Sequence, residues 1–407
     1  MLSKLALDGG EKVFLESPQS LPTRWPPAYP ETAQQLADLY LNHKWSFYGP
    51  QEILFNEKFA EFTGARQSVM MANGTVTLEC ALRALNIGPG AEVIVPAHTW
   101  LATGTAVVSC GATPVIVDIE SDTLCLDPQA FERAITPKTR AVIPVHLLGS
   151  LADMEKICAI AKKHDLRVIE DCAHAHGGRW NGQHVGTIGD IGSFSFQESK
   201  LLACGEGGAC LTNDLHLGDI LGRLSHIGYP FGAKQGAPCD PPIMGLLCEN
   251  YRVTDFQALI LLSQLAHLEE DTKIRADGAA FMRQHLDAIP GLRVQAPGRL
   301  ATSQSYYCFI IILDHRQLQP GRTRESVLAA LQAEGLNNIG TGWGAPMYKQ
   351  RLWTIPESLY RIDSNQVAED IVYNQMIVVS KNWLMANRSD QEKFCAAFAK
   401  VLAEYHQ

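Results

Sequence analysis

The sequence predicts an α/β protein built on a mainly parallel sheet with helices on both faces. Two observations predict it. Short apolar runs of strand length recur through the first half of the chain: Val69 to Ala72, 92–96 (EVIVP), 113–119 (TPVIVDI), 140–146 (RAVIPVH) and 167–170 (RVIE). Segments with helical spacing of apolar residues lie between them, among them WLATGTAVVSCG, PQAFERAI and DMEKICAIAKKHD. Strands buried on both faces read as continuous apolar runs, and strands that alternate with helices pair in parallel through crossovers.

Composition narrows the class. At 407 residues the chain exceeds one simple core, so a large domain plus a smaller one is expected. Hydrophobic content of 46% with 19% charged residues describes an ordinary globular protein. A formal net charge of −9 argues against nucleic acid or anionic membrane as the main partner, since both attract basic surfaces. No apolar run approaches the roughly 18–20 residues of a membrane span. The opening MLSKLALDGGEKVF is too polar for a signal peptide. The eleven cysteines are odd in number, irregularly spaced and contain no C-x-x-C pair. Several, such as Cys80, Cys110, Cys158 and Cys308, lie in apolar segments, which suits reduced, mostly buried thiols of a cytoplasmic protein. A zinc site from Cys172, His174 and His176 would follow no common zinc spacing.

The elements follow in order. Residues 1–50 form a lead-in rich in proline and aromatics, with a helix from Pro30 to Asn42. WSFYGPQE reads as a loop, with Pro50 opening a helix whose apolar residues are Ile53, Leu54, Phe55, Phe59 and Phe62 and whose end is Gly64. The strand ending at Ala72 runs into Asn73-Gly74-Thr75 and an apolar-periodic helix through Leu85. Asn73 and Thr75 are ordinary helix-capping residues, yet a capped helix start still presents free N–H groups and a positive dipole end, which bind phosphate. Leu215 to Pro242, rich in glycine and proline, reads as a surface loop. Long helical material follows from Glu249 to about Leu286. From about Pro290 the pieces shorten: SYYCFIIIL as a strand, RESVLAALQAEG as a helix, MIVVS as a strand, then a C-terminal helix. The expected division is 1–265 for the large domain with its lead-in and 266–407 for the small one.

The chemistry concentrates between Arg167 and Asn213. Three strand-like runs, Arg167 to Glu170, Ile191 to Phe196 and Ala209 to Thr212, set Asp171 at one strand end and Lys200 just past the next. Glycines follow at Gly205, Gly207 and Gly208. Ligand-binding groups of open α/β sheets gather beyond the carboxyl ends of strands. A lysine and an acid so placed suit pyridoxal 5'-phosphate: Lys200 would form the Schiff base, and Asp171 would keep the pyridine nitrogen protonated so that the ring acts as an electron sink. Asn73, Gly74 and Thr75 with Ser195 could cradle the phosphate. Trp100, beyond EVIVP, could stack on the ring, and His174 could reach its face or its 3'-oxygen. Taken singly these residues are a surface ion pair, a helix cap, a packed tryptophan and a loop histidine. Their joint order along the chain is what points to the cofactor.

With these residues in view, the sequence resembles the DegT/DnrJ/EryC1/StrS group of pyridoxal phosphate-dependent aminotransferases over nearly its whole length. The matching segments are NGT (73–75), VIVPAHTW (93–100), VIPVHLLGS (142–150), VIEDCAHAHGG (168–178), GDIGSFSFQESK (189–200), GEGG (205–208) and ENYRVTDFQ (249–257). The resemblance implies a fold-type-I transferase with a seven-stranded-type sheet and a smaller C-terminal α/β domain. It implies transfer of an amino group from L-glutamine or L-glutamate to a ketone on a sugar or cyclitol, either scyllo-inosose-like or a nucleotide keto-sugar, in amino-sugar, aminocyclitol or antibiotic biosynthesis. It further implies Lys200 as the Schiff-base lysine, Asp171 at the pyridine nitrogen, Ser195 and Thr75 on phosphate, Trp100 stacked on the ring, and a homodimer in which Asn250 reaches the partner subunit's site. Three departures stand out. Gln197-Glu198 replaces a segment where many relatives carry histidine, His174 stands where many carry glutamine, and 337–353 lacks a histidine many carry. The glutamine-type segment, GEGG and SYYCF (305–309) look most like the branch acting on scyllo-inosose and 2-deoxy-scyllo-inosose, close to 3-amino-5-hydroxybenzoate synthases. A dehydratase or such a synthase is the alternative within the family. A nicotinamide oxidoreductase would need G-x-G-x-x-G where the chain has NGT, and a non-catalytic relative would not need Lys200 and Asp171 together.

Overall fold

Each apolar run of the first half becomes a strand of one sheet. The computed structural model describes residues 4–406 except 17, 19, 23, 24, 44, 46, 47, 232, 234, 235 and 240–244. The strands are β1 (Gln67–Met71), β2 (Glu92–Pro96), β3 (Thr113–Val117), β4 (Thr139–Val142), β5 (Arg167–Asp171), β6 (Arg179–Trp180), β7 (Gln183–His184), β8 (Ile191–Ser195), β9 (Gly208–Thr212), β10 (Leu292–Val294), β11 (Ala301–Ser303), β12 (Cys308–Leu313), β13 (Ile339–Gly340), β14 (Arg361–Ile362) and β15 (Met376–Ser380). The main sheet has eight strands in the order β1-β9-β8-β5-β4-β2-β3-β14. Only β9 runs against its neighbours, pairing antiparallel with β1 and β8, while the other pairs are parallel. Val93, Ile94, Val95, Val115, Ile116 and Val117 are wholly buried, as parallel strands covered on both faces must be. The first helices are α1 (Pro30–Leu41), α2 (Pro50–Thr63), α3 (Gly74–Ala84) and α4 (Leu101–Ser109). Proline opens α1 and α2, and Gly64 closes α2 in the left-handed conformation.

Two hydrophobic cores meet across β12 and its neighbour β15. A four-stranded sheet, β10-β12-β15-β13, packs with the helices Leu268–Leu286, Arg324–Ala333 and Arg388–Tyr405. Alternation along β12 divides its side chains: Ile310 and Ile312 enter the core of the main sheet, while Phe309, Ile311 and Leu313 enter the second core. β12 is therefore a party wall. The lead-in residues Leu5, Phe14 and Leu21 also pack in the second core.

One sequence expectation is extended and one corrected. The seven-stranded-type sheet is present as β1-β9-β8-β5-β4-β2-β3, with the two-residue β14 added beside β3 as an eighth. The stretch expected as a loop from Leu215 contains a helix, Leu215–Ser225. Asp214 caps it by accepting N–H bonds from His216 and Leu217, and Ile220, Leu221 and Leu224 bury its inner face. Gly218 and Gly222 hid this helix, but Gly218 is there for packing: a Cβ would lie 2.0 Å from the Gln67 side chain. In the long helical stretch, Ala266 and His267 separate Asp255–Leu265 from Leu268–Leu286.

One helical glycine tests how tightly the second core is built. A Cβ on Gly278 would stand 2.0 Å from the Leu384 carbonyl oxygen. Helix propensity alone would make Gly278→Ala stabilising by about 1 kcal/mol. Backbone crowding is expected to reverse the sign, costing about 1–3 kcal/mol in a urea unfolding titration. A more stable variant would show that this contact yields freely.

Candidate active site

The carboxyl ends of β5 and β8 and the start of α3 converge on one cavity of about 630 Å³. Asn73, Gly74, Thr75, Trp100, Asp171, His174, Ser195 and Lys200 all line it. Asn250 does not. It is exposed, bridges to His226, and accepts the Arg252 N–H at 3.4 Å.

The floor is made by backbone brought close to backbone. Asn73 is extended and its Oδ1 accepts the Val76 N–H at 3.0 Å, so it caps α3. A Cβ on Gly74 would lie 2.6 Å from the Ser195 Cβ, and one on Gly208 would lie 2.7 Å from the Asn73 carbonyl carbon. Glycine at both positions lets β8, β9 and the α3 terminus touch. The result is a helix start with the Ser195 side chain against it, an arrangement suited to an anion.

Asp171 ends β5 and is 6% exposed. Its Oδ2 accepts the Thr103 hydroxyl at 2.9 Å and its Oδ1 accepts the Ala173 N–H at 3.2 Å. Thr103 in turn shares a bond with Thr99 at 2.9 Å. Burial raises the Asp171 pKa, against the pull of Thr103, Ala173, Lys200 and His146. A cation brought to this carboxyl would therefore be well received. Lys200 stands in a turn after β8, its N–H donating to the Gln197 carbonyl at 2.8 Å. Burial takes its ammonium down to about 8, with Asp171 and Cys308 opposing the shift. This depression keeps a usable share of neutral amine at moderate pH, as a nucleophile or proton carrier requires.

Aromatic rings wall the cavity. His174 stacks on Tyr307, with centroids 4.1 Å apart and planes 10° from parallel. Burial keeps the imidazole neutral, pushing its pKa well below the ordinary value, with Lys200 adding to the effect. Its Nδ1 is buried without a hydrogen-bond partner. Trp100, 44% exposed, precedes α4 and lies 5.7 Å from Trp343. Trp343 also approaches His98 at 5.4 Å and His174 at 5.9 Å, and lines the cavity with Tyr307.

Sequence reasoning missed Thr103, Tyr307 and Trp343 as individual residues. Tyr307 and Trp343 lay in quoted segments, and Trp343 carried one readable signal: it sits between Gly342 and Gly344, both left-handed with φ of 64° and 71°. A bulky ring between two such glycines is being aimed.

Behind the cavity, Glu170 braces the loop that leads into β8. Its carboxylate accepts the N–H groups of Gly186, Ile188 and Gly189, each at 2.8 Å. His146 Nδ1 accepts the Ala152 N–H at 3.1 Å, so its Nε2 carries the proton and donates to Glu170 at 3.2 Å. Among the described residues His146, Glu170 and Cys172 form the one trio with metal-ligand spacing. These hydrogen bonds already occupy Glu170 and both His146 nitrogens. The histidines of the zinc alternative face elsewhere, His174 onto Tyr307 and His176 donating to the Ser195 carbonyl at 2.9 Å.

An α/β fold with a lysine and an acid at the strand ends, beside a helix start suited to an anion, is the arrangement of a transferase that works through a buried amine. The comparisons narrow the class. The model of the DegT/DnrJ/EryC1/StrS aminotransferase family matches residues 28–398. The L-glutamine:2-deoxy-scyllo-inosose aminotransferase of Streptomyces fradiae is 34% identical, covering 99% of this chain and 98% of the relative. The structure of 3-amino-5-hydroxybenzoic acid (AHBA) synthase superposes with a TM-score of 0.81 at 27% identity, over 95% of this chain and 100% of that one. S. venezuelae DesV, solved in complex with a ketimine intermediate, gives 0.78 at 30% identity, over 91% and 93%. The chain belongs to the DegT/DnrJ/EryC1/StrS aminotransferase family and is an aminotransferase.

The lysine's setting has a direct readout. In the full chain without added cofactor, reductive methylation of Lys200, followed by peptide mass spectrometry, is expected to be half-maximal near pH 8. The neutral amine reacts, so labelling rises with pH through that value. A midpoint in the ordinary lysine range, about 10.4, would show the ammonium to be solvated.

Proposed function

We propose that this aminotransferase holds pyridoxal 5'-phosphate in the cavity and moves the amino group of L-glutamine or L-glutamate to a ketone on a cyclitol ring of the 2-deoxy-scyllo-inosose kind. The observation that carries the reading is the joint placement of Lys200, Asp171 and the α3 terminus around one space. The donor set fits the cofactor at each end. The α3 start, which Gly74 lets lie against Ser195, presents N–H groups suited to a phosphate, Asp171 offers a buried carboxyl for the pyridinium, and His174 has a buried nitrogen without a partner among the described residues. Bound there, the cofactor would supply an aldehyde for amine exchange and a ring that takes up the electron pair of a broken C–H bond.

The chain's own residues would do the rest. The N–H groups at the start of α3, with Ser195 and Thr75, bind the phosphate. Trp100 covers one ring face. The Asp171 carboxylate, steadied by Thr103 and Ala173, stabilises positive charge on the ring nitrogen. Lys200 Nζ, as a neutral amine, would take the proton from the donor's α-carbon, hold it as an ammonium and deliver it to the bound cofactor. In the second half-reaction it moves a proton the other way.

The walls favour an uncharged acceptor over a nucleotide sugar. Lys200 is the one lysine or arginine among the lining residues, and Glu206 stands with it in the lining. A nucleoside diphosphate would call for arginine or lysine on its phosphates. A polyol ring instead finds aromatic faces at Trp100, Tyr307 and Trp343 and polar atoms at Gln197 and Ser199. The same reading makes the protein a cytoplasmic homodimer in which Asn250 serves the partner subunit's cofactor phosphate. No helix among the described residues is long and apolar enough to cross a membrane.

Incubation with pyridoxal phosphate, L-glutamine and 2-deoxy-scyllo-inosose is expected to give the aminated cyclitol, detected by mass spectrometry. Lys200→Ala should lower turnover by about 10³-fold or more. Equal turnover by that variant would remove the lysine from the mechanism. For the dimer, a mixture of Lys200→Ala and Asn250→Ala chains should recover activity that neither has alone. No recovery on mixing would confine Asn250 to its own subunit.

A further inference from the structure

A second buried lysine stands beside the first. Lys381 follows β15, opens the short helical turn Lys381–Met385, and is 8% exposed. Among the described residues, no carboxylate lies within 4.0 Å of its Nζ. A buried ammonium without a carboxylate is costly, and a neutral side chain would pack there more cheaply.

Its contacts all converge on the Lys200 turn. Lys381 Nζ donates to the Ser199 carbonyl at 3.0 Å and lies over two rings, 4.4 Å from the Trp25 centroid and 5.3 Å from the Tyr307 centroid. Lys200 Nζ lies 4.9 Å from the same Tyr307 ring. The next carbonyl along the chain, that of Lys200 itself, accepts the Trp25 Nε1–H at 2.8 Å. The Tyr307 hydroxyl shares a bond with Ser199 Oγ at 2.8 Å. Two successive carbonyls of the reactive turn are thus held from outside it, one by the lead-in and one by the end of β15.

We infer that Lys381 is a positioning residue for Lys200: it pins the Ser199 carbonyl from the end of β15 and sets a second ammonium near the same Tyr307 ring as the first. The charged and titratable groups facing Lys200 come from several elements. They are Asp171 at the end of β5, His174 and His176 in the loop after it, Cys308 opening β12, and Lys381. Burial takes Lys381 itself down to about 8; Cys308 opposes the shift, and Arg275 and Lys200 add to it. Repulsion between two ammonium groups acts on both, so each favours the neutral form of the other.

The test uses the Lys200 labelling profile of the full chain and so does not depend on the acceptor or donor. It rests on Lys200 being the reactive amine of the proposed function. Lys381→Met keeps the stem and removes the charge. It is expected to move the Lys200 midpoint up, so that labelling at a fixed neutral pH becomes slower than in the wild type. Lys381→Arg should leave the midpoint near the wild-type value. Failure to label wild-type Lys200 at all would sink the functional reading. Normal wild-type labelling with an unmoved midpoint in a folded Lys381→Met protein would sink this inference alone. Should circular dichroism show Lys381→Met unfolded, Lys381→Gln keeps a donor for Ser199 without the charge. The same upward shift is then expected, and an unmoved midpoint overturns the proposal.

Discussion

Everything at this site depends on keeping a lysine ammonium mostly out of water beside a single carboxylate. An ion brought fully from water into protein loses several kcal/mol of solvation, and attraction to one partner recovers that only when the partner is itself well held. Asp171 is held by the Thr103 hydroxyl and the Ala173 N–H. The opposite shifts of the two groups, Asp171 up and Lys200 down, share burial as their largest cause. Under the proposed function, a cationic conjugated ring at the acid and an aldehyde at the amine would satisfy both groups.

That strained pair needs a rigid frame, and the frame is mostly backbone. Glu170, one residue before Asp171, spends its carboxylate on three N–H groups of the loop that leads into β8. Neighbouring carboxylates on one strand thus do different work because alternate residues face opposite ways. Gly74 and Gly208 then allow the α3 start to lie directly on β8 and β9. The second core closes the arrangement through β12, whose outer end carries Tyr307 to the cavity while its inner side chains serve both cores.

The main sheet was legible because its strands are apolar runs and β1 to β4 are each followed by a helix. The site residues from the strand ends, Asp171 and Ser195, and from the helix start, Asn73 to Thr75, were legible for the same reason: position along the chain sets position in the fold. The helix Leu215–Ser225 was not, since its two glycines mimic a loop until Gln67 is seen packed on one of them. Thr103 carries no motif and acquires meaning only when Asp171, 68 positions away, is found at its hydroxyl. Lys381 and Trp25 are likewise silent in sequence, being 182 and 175 positions from the carbonyls they hold. Long-range contacts of this kind have no period to read.

The division of charge in the cavity bears on which acceptors can enter. At one end the α3 terminus seeks an anion, and the cofactor's phosphate would meet that need. Among the described residues Lys200 is the one lysine or arginine of the lining, and the proposed function commits it to chemistry. The remaining wall is made of rings: Trp100, Trp343, Tyr307 and the His174 imidazole stacked upon it. Such walls hold the C–H faces of a saturated ring by dispersion and leave its hydroxyls to the few polar atoms at the edge. Under the proposed function a small neutral polyol would satisfy both conditions, while the described lining residues offer a diphosphate no arginine and no lysine other than Lys200.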